Sequence, residues 1–99
     1  MEIKKLENGQ ELTISLEGEL NTITAPQLEE VISSSLKGIT SLIFDFQGLN
    51  YLSSAGLRVL LVASKIMNKQ GKMVIKNVNE EIIDIFEMTG FINILNVEN

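Results

Sequence analysis

The chain has 99 residues, 44% of them hydrophobic, and a formal net charge of −5 at pH 7. This length fits one domain, and this composition can bury a core without disulfides or metal. The chain contains no cysteine and no histidine, which excludes thiol nucleophiles, the usual zinc sites and Ser-His-Asp catalysis. The acidic balance and the lack of a dense basic run argue against general nucleic-acid binding.

The N-terminal segments predict a β-hairpin. Glu2 to Leu6 and Glu11 to Leu16 flank Asn8-Gly9, and Asn-Gly favours a two-residue turn because both residues accept positive φ. Apolar and polar residues alternate in the second segment, which indicates one buried and one exposed face. We expect antiparallel strands, with the first at or near an edge of the sheet. No apolar run opens the chain, so we expect no signal peptide.

The first predicted helix begins near Thr24. Thr24 and Gln27 have the spacing of a capping box, and Ile23 and Leu28 have the spacing of a hydrophobic staple. Gly38 is expected to end this helix.

The next segment, Ile39 to Phe46, predicts a strand. It is apolar on both faces, as in a central strand that is covered on both sides. Asp45 is the exception, and it lies near the carboxyl end, where parallel sheets place their sites. Two interpretations of Asp45 stay open: a site residue, or a carboxylate that is hydrogen-bonded locally at the strand end.

The stretch from Asn50 to Leu61 organises the chain. Ser53 and Ser54 lie where a second helix, from about Ser54 to Lys69, should begin. A helix start has unpaired N–H groups and the positive end of the dipole, so it accepts a serine cap or an anion. Either one serine simply caps the helix, or one caps it and the other is phosphorylated. This helix is apolar nearly all round, so it is either deeply buried or partly reserved for a partner.

The last third of the chain predicts a strand, a helix and one undecided segment. Lys72 to Val78 form the strand, Asn79 caps the helix and Gly90 ends it with positive φ. Phe91 to Val97 fits a strand or a helix. Strand–helix alternation after an opening hairpin predicts an α/β fold with a mixed sheet of four to five strands and parallel crossovers.

The chain shows no catalytic constellation. Gly48 and Gly56 form neither a P-loop nor a dinucleotide fingerprint. Ser54 has no histidine or other suitable base nearby in the sequence. We therefore predict that the chain is not an enzyme and holds no cofactor or metal.

Four motifs together resemble those of the STAS domain of bacterial anti-sigma-factor antagonists. These motifs are Gly18-Glu19-Leu20-Asn21, Phe44-Asp45-Phe46, Tyr51-Leu52-Ser53-Ser54-Ala55-Gly56-Leu57 and Met88-Thr89-Gly90-Phe91. The resemblance covers essentially residues 1–99 as one STAS domain, in the same order of elements. Two positions depart from the family pattern, because Asn21 and Ser53 stand where the family has aspartate.

The resemblance implies a phosphorylation switch. Such proteins are phosphorylated by an anti-sigma factor that is also a serine kinase of the histidine-kinase-like ATPase fold. The unphosphorylated form binds this kinase and frees the sigma factor, and a PP2C-type phosphatase removes the phosphate. Carried over to this chain, the phosphorylated residue is Ser54, with Ser53 as the alternative. The implied partner-binding residues are Asn21, Ser53, Ser54, Ala55, Gly56, Leu57 and Arg58.

The physical chemistry of a phosphate agrees with a switch at this position. A phosphate adds a charge of about −1.5 to −2, which a helix start tolerates and an apolar interface does not. We expect modification to block docking without changing the fold, while Arg58 either neutralises the phosphate or faces the partner. The expected setting is cytoplasmic, without membrane or nucleic acid. The alternative function is an unswitched STAS scaffold in a transporter or stress-sensing assembly.

Overall fold

The opening hairpin lies at one edge of the sheet. In the computed structural model, which describes residues 1–98, β1 (Glu2–Asn8) pairs antiparallel with β2 (Glu11–Leu20). Asn8 pairs with Glu11, so the turn residues are Gly9 and Gln10. Gly9 has a φ of +65°, as in hairpin turns that need positive φ only at their first position. The predicted hairpin is confirmed, but its turn lies one residue later than expected.

Helices and strands alternate after the hairpin. They are α1 (Ala25–Ser35), β3 (Ser41–Leu52), α2 (Ser54–Gln70), β4 (Lys72–Lys76), α3 (Glu80–Thr89), a short 3-10 helix (Phe91–Asn93) and β5 (Val97–Glu98). Across residues 1–98 the sheet has five strands in the order β1-β2-β3-β4-β5, and every pair after the first is parallel. The predicted α/β fold with a mixed sheet is confirmed. The undecided last segment contains both a helical turn and a short strand.

The three α-helices of the described chain pack on one face of the sheet. From β2 onward each crossover advances one strand in the same direction, and right-handed crossovers then place their helices on the same side. Helix residues such as Leu60 and Phe86 share one core cluster with Phe44 of β3. On the other face, Ile43 and Asp45 are only half-buried. The prediction that β3 is covered on both sides is therefore wrong.

An apolar neighbour explains why β3 misled the sequence analysis. Ile43 lies beside Val74 of β4 in the parallel register. Val74 is buried but lies outside the main core cluster. Apolar side chains on neighbouring strands can thus lie beside each other even on the face of the sheet that no helix covers.

β3 is also longer than predicted, because it continues to Leu52 and leaves only Ser53 before α2. Its register with β2 shifts twice in the added stretch, and each shift inserts one extra residue in β3. Such bulges bend a strand and interrupt its alternation. The buried residues here lie three apart: Phe46, Leu49 and Leu52. The period-two alternation that indicates a strand therefore stops at Phe46, although the strand itself continues to Leu52.

α2 matches its predicted bounds closely but is not fully buried. Val62 is 38% exposed, and Leu61 and Ile66 are half-buried. Gly71 follows the helix, and a Cβ there would collide with the backbone of Thr40. Glycine therefore allows the chain to pass close to the start of β3. Within residues 1–98, the helices are too short or too polar to cross a membrane.

α3 has the predicted cap at its start. The Asn79 side-chain oxygen accepts the Ile82 N–H at 2.9 Å, and its amide nitrogen donates to the Leu49 carbonyl at 3.1 Å. Gly90 follows the helix with a φ of +81°. Asn79 therefore both caps α3 and ties the helix to the extended part of β3.

Candidate functional site

The start of α2 is fixed to the end of the β2–β3 pair. Leu20 pairs with Leu52, and the Ser53 N–H donates to the Leu20 carbonyl at 2.9 Å. Ser53 is the N-cap residue in an extended conformation, and its carbonyl accepts the Leu57 N–H at 3.0 Å. Backbone hydrogen bonds on both sides of Ser53 therefore position the first turn of α2.

The two serines at this junction differ in exposure. The Ser53 hydroxyl oxygen is buried and has no hydrogen-bond partner within the part of the chain that the structure describes. It forms no cap hydrogen bond, so the Ser53 side chain does not fill the capping role that both interpretations gave to a serine. Ser54 is the first residue of α2 and is exposed. Of the two residues, Ser54 is the one that solvent reaches freely.

The first turn of α2, residues 54–57, carries no acidic side chain of its own at the positive end of the helix, and Ser53 supplies none at the N-cap. The first charged residue of the helix is Arg58, which is exposed. Because an anion is favoured near a helix start, a phosphate on Ser54 is electrostatically tolerated.

The remaining predicted site residues are buried or half-buried. Gly56 and Leu57 are buried, whereas Ala55 and Asn21 are half-buried. A Cβ on Gly56 would lie 2.6 Å from Leu52 Cδ1 and 2.7 Å from Leu20 Cγ. Gly56 and Leu57 therefore pack the start of α2 against the sheet.

Asn21 organises the loop from β2 to α1. Its side-chain oxygen accepts the N–H groups of Ile23 at 2.9 Å and Thr24 at 3.1 Å, and its carbonyl accepts the Ala25 N–H at 2.8 Å. A side-chain oxygen that accepts the N–H three residues later is the usual N-cap interaction. Asn21 thus caps the turn that leads into α1.

The predicted capping box and staple of α1 are wrong. Thr24 occupies the N-cap position without a side-chain cap bond, and its hydroxyl donates to the Glu19 carbonyl at 2.8 Å. Ile23 is 84% exposed, whereas Leu28 is fully buried, so they do not pack as a staple. The capping role falls to Asn21 because its turn begins before the regular helix.

A groove lies between the starts of α1 and α2, next to Ser54. Its α1 side comprises Thr22, Ala25, Pro26 and Glu29, and its α2 side comprises Ala55, Arg58 and Val59. The exposed Ile23 follows Thr22 in the loop. The sequence analysis missed Thr22 and Glu29 because no local pattern brings them to α2.

A larger depression of about 360 Å³ lies on the face of the sheet opposite the helices. Polar side chains from β1, β2 and β3 line it, among them Lys4, Glu17 and Asp45. The Lys4 amine lies 3.4 Å from Glu17, which raises the pKa of Lys4. Asp45 accepts the Gln47 N–H at 3.0 Å and an Asn77 amide hydrogen at 2.9 Å. These contacts support the interpretation of Asp45 as a locally bonded carboxylate.

A family model described as the STAS domain matches residues 2–99. BtrV of Bordetella bronchiseptica, named as an anti-sigma factor antagonist, is 38% identical over 90 residues, which cover 89% of this chain and 78% of BtrV. The anti-sigma-B factor antagonist of Bacillus subtilis is 26% identical over 98 residues, or 98% of this chain and 88% of that protein. Both names describe regulators, in agreement with the prediction that the chain is not an enzyme.

Solved structures of anti-sigma factor antagonists share the fold. One from Thermotoga maritima gives a TM-score of 0.90 at 17% identity, over 98% of this chain and 86% of that one. SpoIIAA in its unphosphorylated form gives 0.78 at 18% identity, over 99% of this chain and 88% of that one. Bacillus SpoIIAA in its phosphorylated form gives a TM-score of 0.77 at 19% identity, over 99% of this chain and 92% of that one.

Proposed function

The chain belongs to the STAS domain family, and on this premise we propose that it is an anti-sigma factor antagonist that phosphorylation of Ser54 switches off. The unmodified form binds an anti-sigma factor that is also a serine kinase of the histidine-kinase-like ATPase fold, and so releases the sigma factor. A PP2C-type phosphatase reverses the modification, and the exchange takes place in the cytoplasm. The names of the relatives support the antagonist role.

The exposure of Ser54 is the observation that carries the choice of site. A kinase must bring the hydroxyl to the γ-phosphate of ATP, and Ser54 is exposed at the first position of α2. The Ser53 hydroxyl is buried behind it. This difference favours Ser54 as the acceptor and argues against Ser53.

The surroundings of Ser54 support a switch that leaves the fold unchanged. The hydroxyl lies outside the core, and the first turn of α2 presents no carboxylate to repel a phosphate. The chain is also about equally similar in fold to SpoIIAA in its unphosphorylated and phosphorylated forms. Modification should therefore change what can dock beside the groove, rather than the domain itself.

Labelling with the anti-sigma kinase tests the proposed site. Incubation with that kinase and ATP should place one phosphate on the protein, and mass spectrometry should locate it on Ser54. Ser54→Ala should abolish the labelling, whereas Ser53→Ala should retain it because its hydroxyl is not the acceptor. Labelling of Ser54→Ala to the wild-type level would refute the assignment.

We expect the exposed Ile23 to contribute to docking of the kinase. Ile23→Ser should weaken binding about tenfold, because burial of such a side chain in an interface is worth on the order of 1.5 kcal/mol. The free energy of unfolding should change by less than about 0.5 kcal/mol, since Ile23 is 84% exposed in the free protein. Calorimetric titration and urea unfolding measure the two quantities.

Met88 provides a matched control for Ile23. It is 86% exposed and lies near the C-terminal end of α3, at the opposite end of the helical layer from Ser54. Met88→Ser removes a similar exposed apolar side chain and should leave the affinity unchanged. Equal losses in the two variants would argue against docking at the groove.

A further inference from the structure

Ser54 and Arg58 lie one turn apart on α2, and both are exposed. Side chains four residues apart on a helix have Cβ atoms about 5–6 Å from each other. Long side chains on a helix also lean toward its N-terminus, over the preceding turn. The backbone therefore directs Arg58 toward the residue that the proposed function modifies.

The guanidinium of Arg58 is available for a new partner. Among residues 1–98, it takes part in no ion pair, because the two ion pairs found there both belong to Lys4. It lines the groove, with Glu29 on the α1 side. The next cation along α2 is Lys65, nearly two turns further from Ser54. Arg58 is thus the cation of α2 within reach of Ser54.

We propose that Arg58 is the intramolecular counter-cation of a phosphate on Ser54, and that this pairing draws its guanidinium out of the groove between α1 and α2. The inference rests on the phosphoserine of the proposed function. An acid four residues before a base is the favoured order on a helix. A guanidinium can also donate two parallel hydrogen bonds to phosphate oxygens.

This pairing gives the modification a second effect at the groove. The phosphate places negative charge on the rim near Ala55, and the movement of Arg58 removes the positive charge from the groove itself. Glu29 then remains as the charged side chain of the lining. The phosphorylated groove is therefore more acidic than the phosphate alone would make it.

The test uses full-length protein with phosphoserine inserted genetically at position 54, so no kinase is needed. Phosphorus NMR then follows the second pKa of the phosphate, ordinarily about 6. A nearby cation favours the dianion and lowers this pKa, so Arg58→Gln should raise it by about half a unit. Arg58→Lys should raise it by less, because it keeps the charge but loses the paired hydrogen bonds.

Lys65→Gln is the matched control, since it removes one positive charge from the same helix. Lys65 lies roughly 16 Å along the helix from Ser54, beyond the screening length at physiological salt, so the phosphate pKa should not change. The Arg58 side-chain N–H signal should also shift as the dianion forms. Equal pKa values in the parent and Arg58→Gln would overturn the inference.

The two proposals fail separately. The phosphate pKa is measured on inserted phosphoserine, so its outcome does not depend on which residue a kinase modifies. A kinase that labelled Ser54→Ala would refute the site assignment but would leave the measured pairing intact. Equal pKa shifts in Arg58→Gln and Lys65→Gln would indicate a general charge effect and would refute the pairing alone.

Discussion

Protein that carries phosphoserine at position 54 is expected to bind its anti-sigma factor about a hundredfold more weakly than the unmodified protein. Ser54 is exposed beside the groove, so a partner docked there would cover the added charge. Pairing with Arg58 would offset only part of a phosphate charge of about −1.5 to −2, and the uncompensated remainder in an interface costs on the order of 3 kcal/mol, which corresponds to a loss of about a hundredfold. Calorimetric titration of both forms at one fixed salt concentration measures the ratio.

Ser54→Ala separates the charge from the loss of the hydroxyl. This variant has no phosphate and should bind as tightly as the unmodified protein, because it removes only one exposed hydroxyl and adds no charge. Urea unfolding of the phosphoprotein should give a free energy close to that of the unmodified form. Undiminished binding by the phosphoprotein would favour the unswitched scaffold that the sequence left open.

The element order was predictable because most of its signals are local. The Asn8-Gly9 pair, the alternation in β2 and the glycine after α3 each act within a few residues. The extension of β3 was not predictable, since two register shifts against β2 disrupt its own alternation. The uncovered face of the sheet was missed for a similar reason. The apolar Ile43 lies beside the apolar Val74 of the next strand, and no second layer of helices covers it.

The sequence predicted the site residues that are neighbours in the chain, but not the residues that only the fold brings next to them. The sequence placed Ser54 at a helix start, and its exposure agrees with that position. The burial of the Ser53 hydroxyl depends on the β2–β3 pair beneath it, to which the Ser53 N–H is bonded through Leu20. The groove joins Thr22 to Ala55, more than thirty residues later. No sequence periodicity indicates a contact between residues so far apart in the chain. The residues that line the groove could therefore be identified only in the folded structure.

Gly56→Ala is expected to lower the free energy of unfolding by about 2 kcal/mol, although alanine is the better helix former by about 1 kcal/mol. The added Cβ would lie 2.6 Å from Leu52 Cδ1 and 2.7 Å from Leu20 Cγ. Both leucines are almost completely buried, and because protein interiors are close-packed, moving either one would disturb its neighbours. Urea unfolding monitored by circular dichroism measures the change.

The double variant with Leu20→Ala tests whether crowding is the cause. Leu20→Ala alone should cost roughly 2–5 kcal/mol, because Leu20 is fully buried. In the double variant the methyl group added at position 56 would occupy part of the space that Leu20 vacates. The combined loss should therefore fall short of the sum of the single losses by at least about 1 kcal/mol. Additive losses, or a Gly56→Ala protein more stable than wild type, would contradict close packing of α2 on the β2–β3 pair.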